Sequence, residues 1–252
     1  MVEVKNVTKR YGNKNVVEQV SVTVPKGTIT SFIGPNGAGK STLLSMISRL
    51  TDSDEGEILI DGQAVNLTKS EELARKISIL KQTNDVNIRL TVKELVSFGR
   101  FPYSKGRLNS EDRKMVEQSM AYMGLEDMKD KHIDLLSGGQ RQRAFIAMIL
   151  AQDTEYILLD EPLNNLDMKH SVQIMKTLRN LVDDLGKTIL VVLHDINFAS
   201  CYSDHIVGMK NGRLLKQGTA DEMIDSQVLK DLYDMDIPIQ QIGDHKICVY
   251  FT

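Results

Sequence analysis

Two short stretches carry residues suited to handling phosphate, and a third opens a helix in an unusual way. Gly34-Pro35-Asn36-Gly37-Ala38-Gly39-Lys40-Ser41-Thr42 fits the pattern GxxxxGK followed by Ser or Thr. It follows the apolar run ITSFI and precedes a helical pattern, LLSMISRL, which is the strand–loop–helix setting the motif requires. Its glycines let the backbone curl so that several N–H groups point at phosphate oxygens, and the helix dipole adds to the attraction. Lys40 then reaches the β- and γ-phosphates, and the Ser41 hydroxyl can ligate Mg²⁺. The stretch YILLDEP ends an apolar run in two carboxylates, Asp160 and Glu161. A carboxylate at the end of a neighbouring strand holds Mg²⁺ through water, a role that suits Asp160. Adjacent carboxylates repel, so a cation is expected near them, and Glu161 is then placed to polarise an attacking water as general base. The third stretch is Leu136-Ser137-Gly138-Gly139-Gln140. Ser137 and Gln140, three residues apart and just ahead of AFIAMILA, form a capping box that opens a helix. Two glycines in a first turn are unfavourable by about 1 kcal/mol each relative to alanine. A cap alone does not explain them, and the residues by themselves leave open what this helix end exposes its backbone to.

Two further polar residues end apolar runs. Gln82 follows KISIL and Lys81, and His194 follows TILVVL. If these runs are parallel strands, their ends gather at one rim of the sheet, where ligands bind. Gln82 is then positioned to touch Mg²⁺ or the water, and His194 to donate to a γ-phosphate.

The elements that must hold these residues are legible as periodicities. Val2, Val4, Val20, Val22 and Val24 alternate as in half-buried strands. GEILIDGQ reads as a strand ending at an Asp-Gly turn, and HIVGMKNGRLLKQG as a hairpin with an Asn-Gly turn. YILLD and TILVVL are continuous apolar runs, which suit a parallel sheet covered on both faces. Between them Val172, Met175, Leu178, Leu181, Val182 and Leu185 form a helix stripe closed by Gly186. Two short helices are expected near Thr219 and Ser226. From about residue 83 to 152 the pattern is helical, with Thr91 and Ser110 as caps. The reading is an α/β protein: a core of mixed or parallel sheet with an N-terminal antiparallel β subdomain and an inserted helical subdomain.

Composition narrows the class. The 252 residues carry a net charge of −3, with 26% charged and 41% hydrophobic residues, ordinary for a globular protein and unlike the basic surface of a general nucleic-acid binder. Cys201 and Cys248 lie far apart, which argues for neither a disulfide framework nor a zinc site. The longest apolar run, residues 144–151, is too short to cross a bilayer, and MVEVKNVTKRYG lacks the apolar centre of a signal peptide. A cytoplasmic location is therefore expected, with other chains supplying any membrane-spanning part.

The order P-loop, strand-end Gln, LSGGQ, Asp-Glu, His resembles the nucleotide-binding subunit of an ABC (ATP-binding cassette) transporter. The resemblance covers essentially the whole chain. It implies a P-loop NTPase core formed by about residues 1–82 and 153–252 and a helical subdomain over 83–152. It implies ATP bound at Gly34 to Thr42, with Tyr11 of KRYG stacked on adenine. Asp160 becomes the Walker B aspartate, Glu161 the catalytic base, Gln82 the Q-loop glutamine and His194 the switch histidine. It further implies a head-to-tail homodimer in which Ser137, Gly138, Gly139, Gln140 and the D-loop Asp167 meet the ATP of the other copy. Asn164 stands where many relatives have serine, which bears on that contact.

The segment ELVSFGRFPYSKGR resembles the GRxPY/H stretch of ATPases that serve iron–siderophore, haem and cobalamin importers. FIGPNGAGKSTLLSMISRL and LDEPLNNLDMKHSVQIM resemble iron-compound importers of Gram-positive bacteria, including the ferric-petrobactin type. Such a subunit works peripherally on the cytoplasmic face of the membrane. Its partners are a second copy, two integral-membrane permease subunits and an extracellular binding lipoprotein. Haem, cobalamin or another metal cargo is the alternative. A soluble, non-transport ABC protein fits less well, since one cassette and no heptad run are present. A switch GTPase lacks its guanine-recognition motif here.

Overall fold

The computed structural model describes residues 1–82 and 89–250. In chain order its elements are β1 (Val2–Tyr11), β2 (Lys14–Val24), β3 (Ile29–Ile33), α1 (Lys40–Ile47), β4 (Glu55–Ile60), β5 (Gln63–Ala64), α2 (Ser70–Lys76) and β6 (Ile77–Leu80). Then come α3 (Val92–Phe98), α4 (Phe101–Ser104), α5 (Ser110–Tyr122), α6 (Gly138–Ala151), β7 (Tyr156–Asp160), α7 (Met168–Leu185) and β8 (Thr188–Val192). The chain continues through α8 (Ile196–Tyr202), β9 (His205–Lys210), β10 (Arg213–Thr219), α9 (Ala220–Met223), α10 (Ser226–Tyr233), β11 (Ile239–Ile242) and β12 (His245–Cys248).

The central sheet has the order β10-β9-β3-β8-β7-β6. Its strands run parallel except for β10, which turns back on β9 through Asn211 and Gly212, both at positive φ. The continuous apolar runs are explained by burial on both faces. Ile29, Ile157, Leu159, Ile189 and Val191 face one core, shared with α3, α5, α6, α7 and α8. Phe32, Leu158, Leu190 and Val192 face the other, shared with α1 and the valines of β1 and β2. Those two strands belong to a second, antiparallel sheet of order β2-β1-β4-β5.

Several local expectations need correction. The first helix begins at Lys40 rather than among its leucines, and it stops at Ile47, with Arg49 left-handed at φ 56°. Asn109, not Ser110, caps α5: its side chain accepts from Asp112 N while Asp112 bonds back to the Asn109 N–H. An Asn side chain caps as well as Ser, and its partner three residues on was the stronger signal. In α7 Leu185 is 55% exposed and Val172 only half-buried, whereas Ile174 is fully buried. Helix α2 and the β11–β12 hairpin had no strong periodicity and were not foreseen. Thr91, by contrast, caps α3 through a full capping box.

Gly99 does not end its helix in a left-handed turn; its φ is −56°. A Cβ there would lie 2.1 Å from the Met148 carbonyl oxygen, so close packing on α6 is what requires glycine. Pro102 does not block a helix either, for it sits in the first turn of α4, a position where its missing N–H costs nothing. Arg100 is buried between these elements. It donates to Asp112 Oδ1 at 2.9 Å and to the Ala151 carbonyl at 2.9 Å, and stacks 4.0 Å from the Tyr103 ring centre.

Candidate nucleotide-binding site

The P-loop is shaped by close approaches. A Cβ on Gly34 would stand 2.0 Å from the Met209 carbonyl oxygen, and one on Gly39 2.5 Å from that of Val16. Both residues also hold positive φ, at 138° and 94°. The loop is thus wedged between β9 and the start of β2, and Gly212 N donates to the Ala38 carbonyl at 3.2 Å. No side chain caps α1 and no acidic residue sits in its first turn, so that end presents backbone N–H groups and a positive dipole to a ligand. Lys40 is buried at its mouth and donates to the Gly34 and Pro35 carbonyls at 2.7 and 3.0 Å. Burial pushes its ammonium below the ordinary lysine range, against the pull of Glu161 and Asp160. A buried, strongly charged donor of this kind is satisfied by an anion.

Parallel strands bring the other polar residues to the same rim. β7 sits between β8 and β6. Asp160 at its end accepts from Ser41 Oγ at 2.7 Å, which joins the end of β7 to the start of α1. Burial pushes the Asp160 carboxyl up, the Ser41 bond opposes this, and the charge of Glu161 adds to it. Glu161 itself holds φ at 52°, an uncommon conformation for a non-glycine residue and one concentrated at functional sites. Its carboxylate is the hub of the rim. Gln82 Nε2 donates to Oε2 at 2.5 Å, Asn164 Nδ2 donates to the same oxygen, and His194 Nε2 lies 2.7 Å from Oε1. The structure therefore assembles Gln82, Glu161 and His194 from three strand ends, and it adds Asn164.

Tyr11 ends β1 and is exposed, with the Lys9 ammonium 5.7 Å from its ring centre. It pairs across the hairpin with Lys14, two residues before the segment that wedges the P-loop. The signature stretch opens α6 with the expected box: Ser137 Oγ accepts from Gln140 N at 3.3 Å, and Gln140 Oε1 accepts from Ser137 N at 3.0 Å. Gly138 is exposed, but Gly139 is buried in its own chain. A Cβ on Gly139 would meet the His170 ring at 2.6 Å. Openness to a phosphate therefore does not by itself account for this glycine. Asp167 caps α7, accepting from His170 N at 2.8 Å, and its Oδ1 lies 2.8 Å from His170 Nδ1.

Residues 17–164 match the ABC transporter family. The chain is 66% identical to petrobactin import ATP-binding protein YclP of Bacillus subtilis (strain 168), over the full length of both. The chain belongs to the ABC transporter family. A second relative of this cassette, petrobactin import ATP-binding protein FatE of Bacillus anthracis, is 49% identical across 99% of the chain and 100% of its own length. The ABC cassette also superimposes on a dimeric post-hydrolysis state of the ATP-binding cassette MJ0796 bound to ADP and Pi. That likeness has a TM-score of 0.77 at 34% identity, covering 87% of this chain and 99% of the other. ABC cassettes of this kind are ATPases.

One site contact had no sequence signal. Tyr233, from α10 near the far end of the chain, accepts a hydrogen bond from Gly34 N at 3.1 Å. Burial raises its hydroxyl well above the ordinary tyrosine range. Tyr233→Phe removes the acceptor and leaves the Gly34 N–H unpaired, a cost of about 1–3 kcal/mol. The expected result is an unfolding midpoint lower by roughly 2–10 °C, together with weaker binding of a fluorescent ATP analogue. Wild-type values for both would show that the latch is idle.

Proposed function

We propose that this chain is the ATP-hydrolysing subunit of an importer for a ferric siderophore, working as a homodimer with two ATP molecules at the interface. The observation that carries the catalytic reading is the convergence of Gln82, Asn164 and His194 on Glu161, one residue beyond the carboxylate that accepts from Ser41. The cargo reading rests on the full-length, 66% identity to a petrobactin import ATP-binding protein.

In this reading the P-loop N–H groups and Lys40 hold the β- and γ-phosphates, and Tyr11 stacks on adenine. The residues also fit Mg²⁺. Ser41 Oγ and Asp160 are hard oxygen donors 2.7 Å apart, and Gln82 lies at the same rim, so a cation there draws its other ligands from phosphate and water. When bound, Mg²⁺ neutralises charge on the β- and γ-phosphates. Glu161 accepts a proton from the attacking water as that oxygen forms its bond to the γ-phosphorus and the bond to ADP breaks. His194 holds Glu161 from the opposite side to Gln82 and donates toward the γ-phosphate. From the second copy, Ser137, Gly138, Gly139, Gln140 and Asp167 close over the same phosphate.

The helical block over residues 89–152 transmits closure to two membrane permease subunits. Phe98 and Phe101 are 51% and 58% exposed beside a cavity of about 670 Å³ that also touches Leu90 and Leu108, an apolar face suited to such a contact. Residues 83–88, which join this block to Gln82, lie outside the described residues. No helix among the described residues is long and apolar enough to cross a membrane. In this reading the chain works peripherally at the cytoplasmic face, with an extracellular binding lipoprotein delivering cargo on the other side and no role for nucleic acid.

Uptake of radiolabelled ferric petrobactin by cells carrying or lacking this chain tests the cargo. Loss of uptake on deletion, restored by the wild-type chain, is expected, and undiminished uptake in the absence of any redundant ATPase would overturn it. Lys40→Ala should not restore uptake. In purified protein that variant should bind ATP roughly 10- to 100-fold more weakly, the loss of one or two charge-assisted hydrogen bonds. Unchanged affinity would remove Lys40 from the phosphate cradle.

A further inference from the structure

We propose that His170 is a positioning residue that ties a protomer's own hydrolysis site to the signature helix it presents to its partner. The proposal rests on the two-copy reading above and extends it. A signature stretch that serves the partner's ATP must report on its own site if the two sites are to fire together, and the structure contains a continuous connection for this.

The connection starts at Glu161. Asn164 Nδ2 donates to its carboxylate, and Asn164 N donates to its carbonyl at 3.2 Å. Asn165 follows in a left-handed conformation at φ 61°, and a Cβ on Gly138 would stand 3.6 Å from its carbonyl oxygen, in ordinary contact. Leu166 N bonds the Leu163 carbonyl at 3.3 Å, closing the turn. Asp167 then caps α7 and holds the His170 ring through Nδ1 at 2.8 Å. The ring fills the space where a side chain at Gly139 would begin, with Cδ2, Cγ and Nε2 at 2.6, 2.8 and 3.1 Å from that position. Residues 161–166 and 167–170 thus form two consecutive hydrogen-bonded turns of the chain, with the catalytic carboxylate at one end and the signature glycines at the other. A cavity of about 290 Å³ lies alongside, lined by Gln82, Gly138, Gln142, Glu161 and Asn165 among others. A shift of Glu161 or Gln82 on nucleotide binding is passed to α6 through the His170 ring packed on Gly139, with the Asn165 carbonyl facing the open side of Gly138. The side chain at position 139 is therefore limited by His170 in the same chain as well as by a phosphate from the other.

The experiment measures ATP hydrolysis against ATP concentration for the full chain, with thermal unfolding and the affinity for a fluorescent ATP analogue measured alongside. His170→Ala should lower the Hill coefficient from about 2 toward about 1 and the maximal rate by about tenfold, the scale of an ordinary coupling free energy. Nucleotide affinity should stay at the wild-type value, which a general loss of structure would not allow. Gly139→Ala should be worse than His170→Ala, and adding His170→Ala to it should recover part of the loss, because deleting the ring removes the clash within the chain and leaves only the partner's phosphate. Unchanged Hill coefficient and rate in His170→Ala would overturn the proposal, as would a Gly139→Ala defect that is equal with and without the ring. A wild type with a Hill coefficient of about 1 that also tolerates Ser137→Ala would instead overturn the two-copy reading, and this proposal with it.

Discussion

Glu161→Gln is expected to lower ATP turnover on the order of 10²- to 10⁴-fold, the range for loss of a general base, while nucleotide affinity stays at the wild-type value. The substitution is close to isosteric. An amide at this position can still hydrogen-bond with Gln82, Asn164 and His194, which surround the carboxylate in the structure. It cannot take a proton from water. Neither Lys40 nor the P-loop backbone is touched, so ground-state binding of ATP should survive. The ATP-bound state, no longer discharged by hydrolysis, should accumulate. Steady-state phosphate release and equilibrium nucleotide binding, measured on the same preparation, separate the two effects. Turnover within about twofold of wild type would show that another group or bulk water takes the proton, and weakened binding would show that Glu161 organises the phosphate cradle instead.

Arg100→Ala should be the most damaging change outside the nucleotide site. The Arg100 and Asp112 side chains are 7% and 2% exposed and form the ion pair that joins α3, α4 and α5. Asp112 is also half of the capping box of α5, and the guanidinium carries the Ala151 carbonyl at the end of α6. Removing Arg100 strands a buried carboxylate and leaves that carbonyl unpaired. Breaking one side of such a pair costs about 3–5 kcal/mol, which lowers the unfolding midpoint by roughly 6–20 °C. Joint replacement of Arg100 and Asp112 by apolar residues should cost less than either single change, since no charge is then left alone. Calorimetry on the single and double variants measures this directly. A midpoint within about 2 °C of wild type for Arg100→Ala would mean that water reaches Asp112 and screens it.

The arginine shows where sequence reading stopped. GRFPY was legible as a family resemblance, and its Phe101 is exposed, but the Arg100–Asp112 pair spans two helices and left no periodic trace. The P-loop, the carboxylate pair and the rim positions of Gln82 and His194 were legible because parallel-strand topology makes strand ends converge. The convergence on one carboxylate, and the presence of Asn164 there, depend on how the turn after β7 folds back, which no local pattern encodes. Tyr233 reaches Gly34 across 199 positions, and nothing local marks it. His170 was closer to reach: Asp167 and His170 have the spacing of a helix cap, but the ring's burial of Gly139 depends on how α6 meets α7. The capping box at LSGGQ was read correctly, while its glycine pair turned out to be two different glycines, one exposed and one packed.

The central claim is that an ATP held by the P-loop of one copy is completed by the signature stretch of another. Sedimentation of the Glu161→Gln chain with and without ATP, with retained nucleotide counted after separation, tests it most directly. A shift from monomer to dimer on adding ATP is expected, with two ATP retained per dimer and the shift abolished when Ser137→Ala is added. A chain that stays monomeric at saturating ATP, or a dimer that forms equally well without the Ser137 hydroxyl, would contradict it.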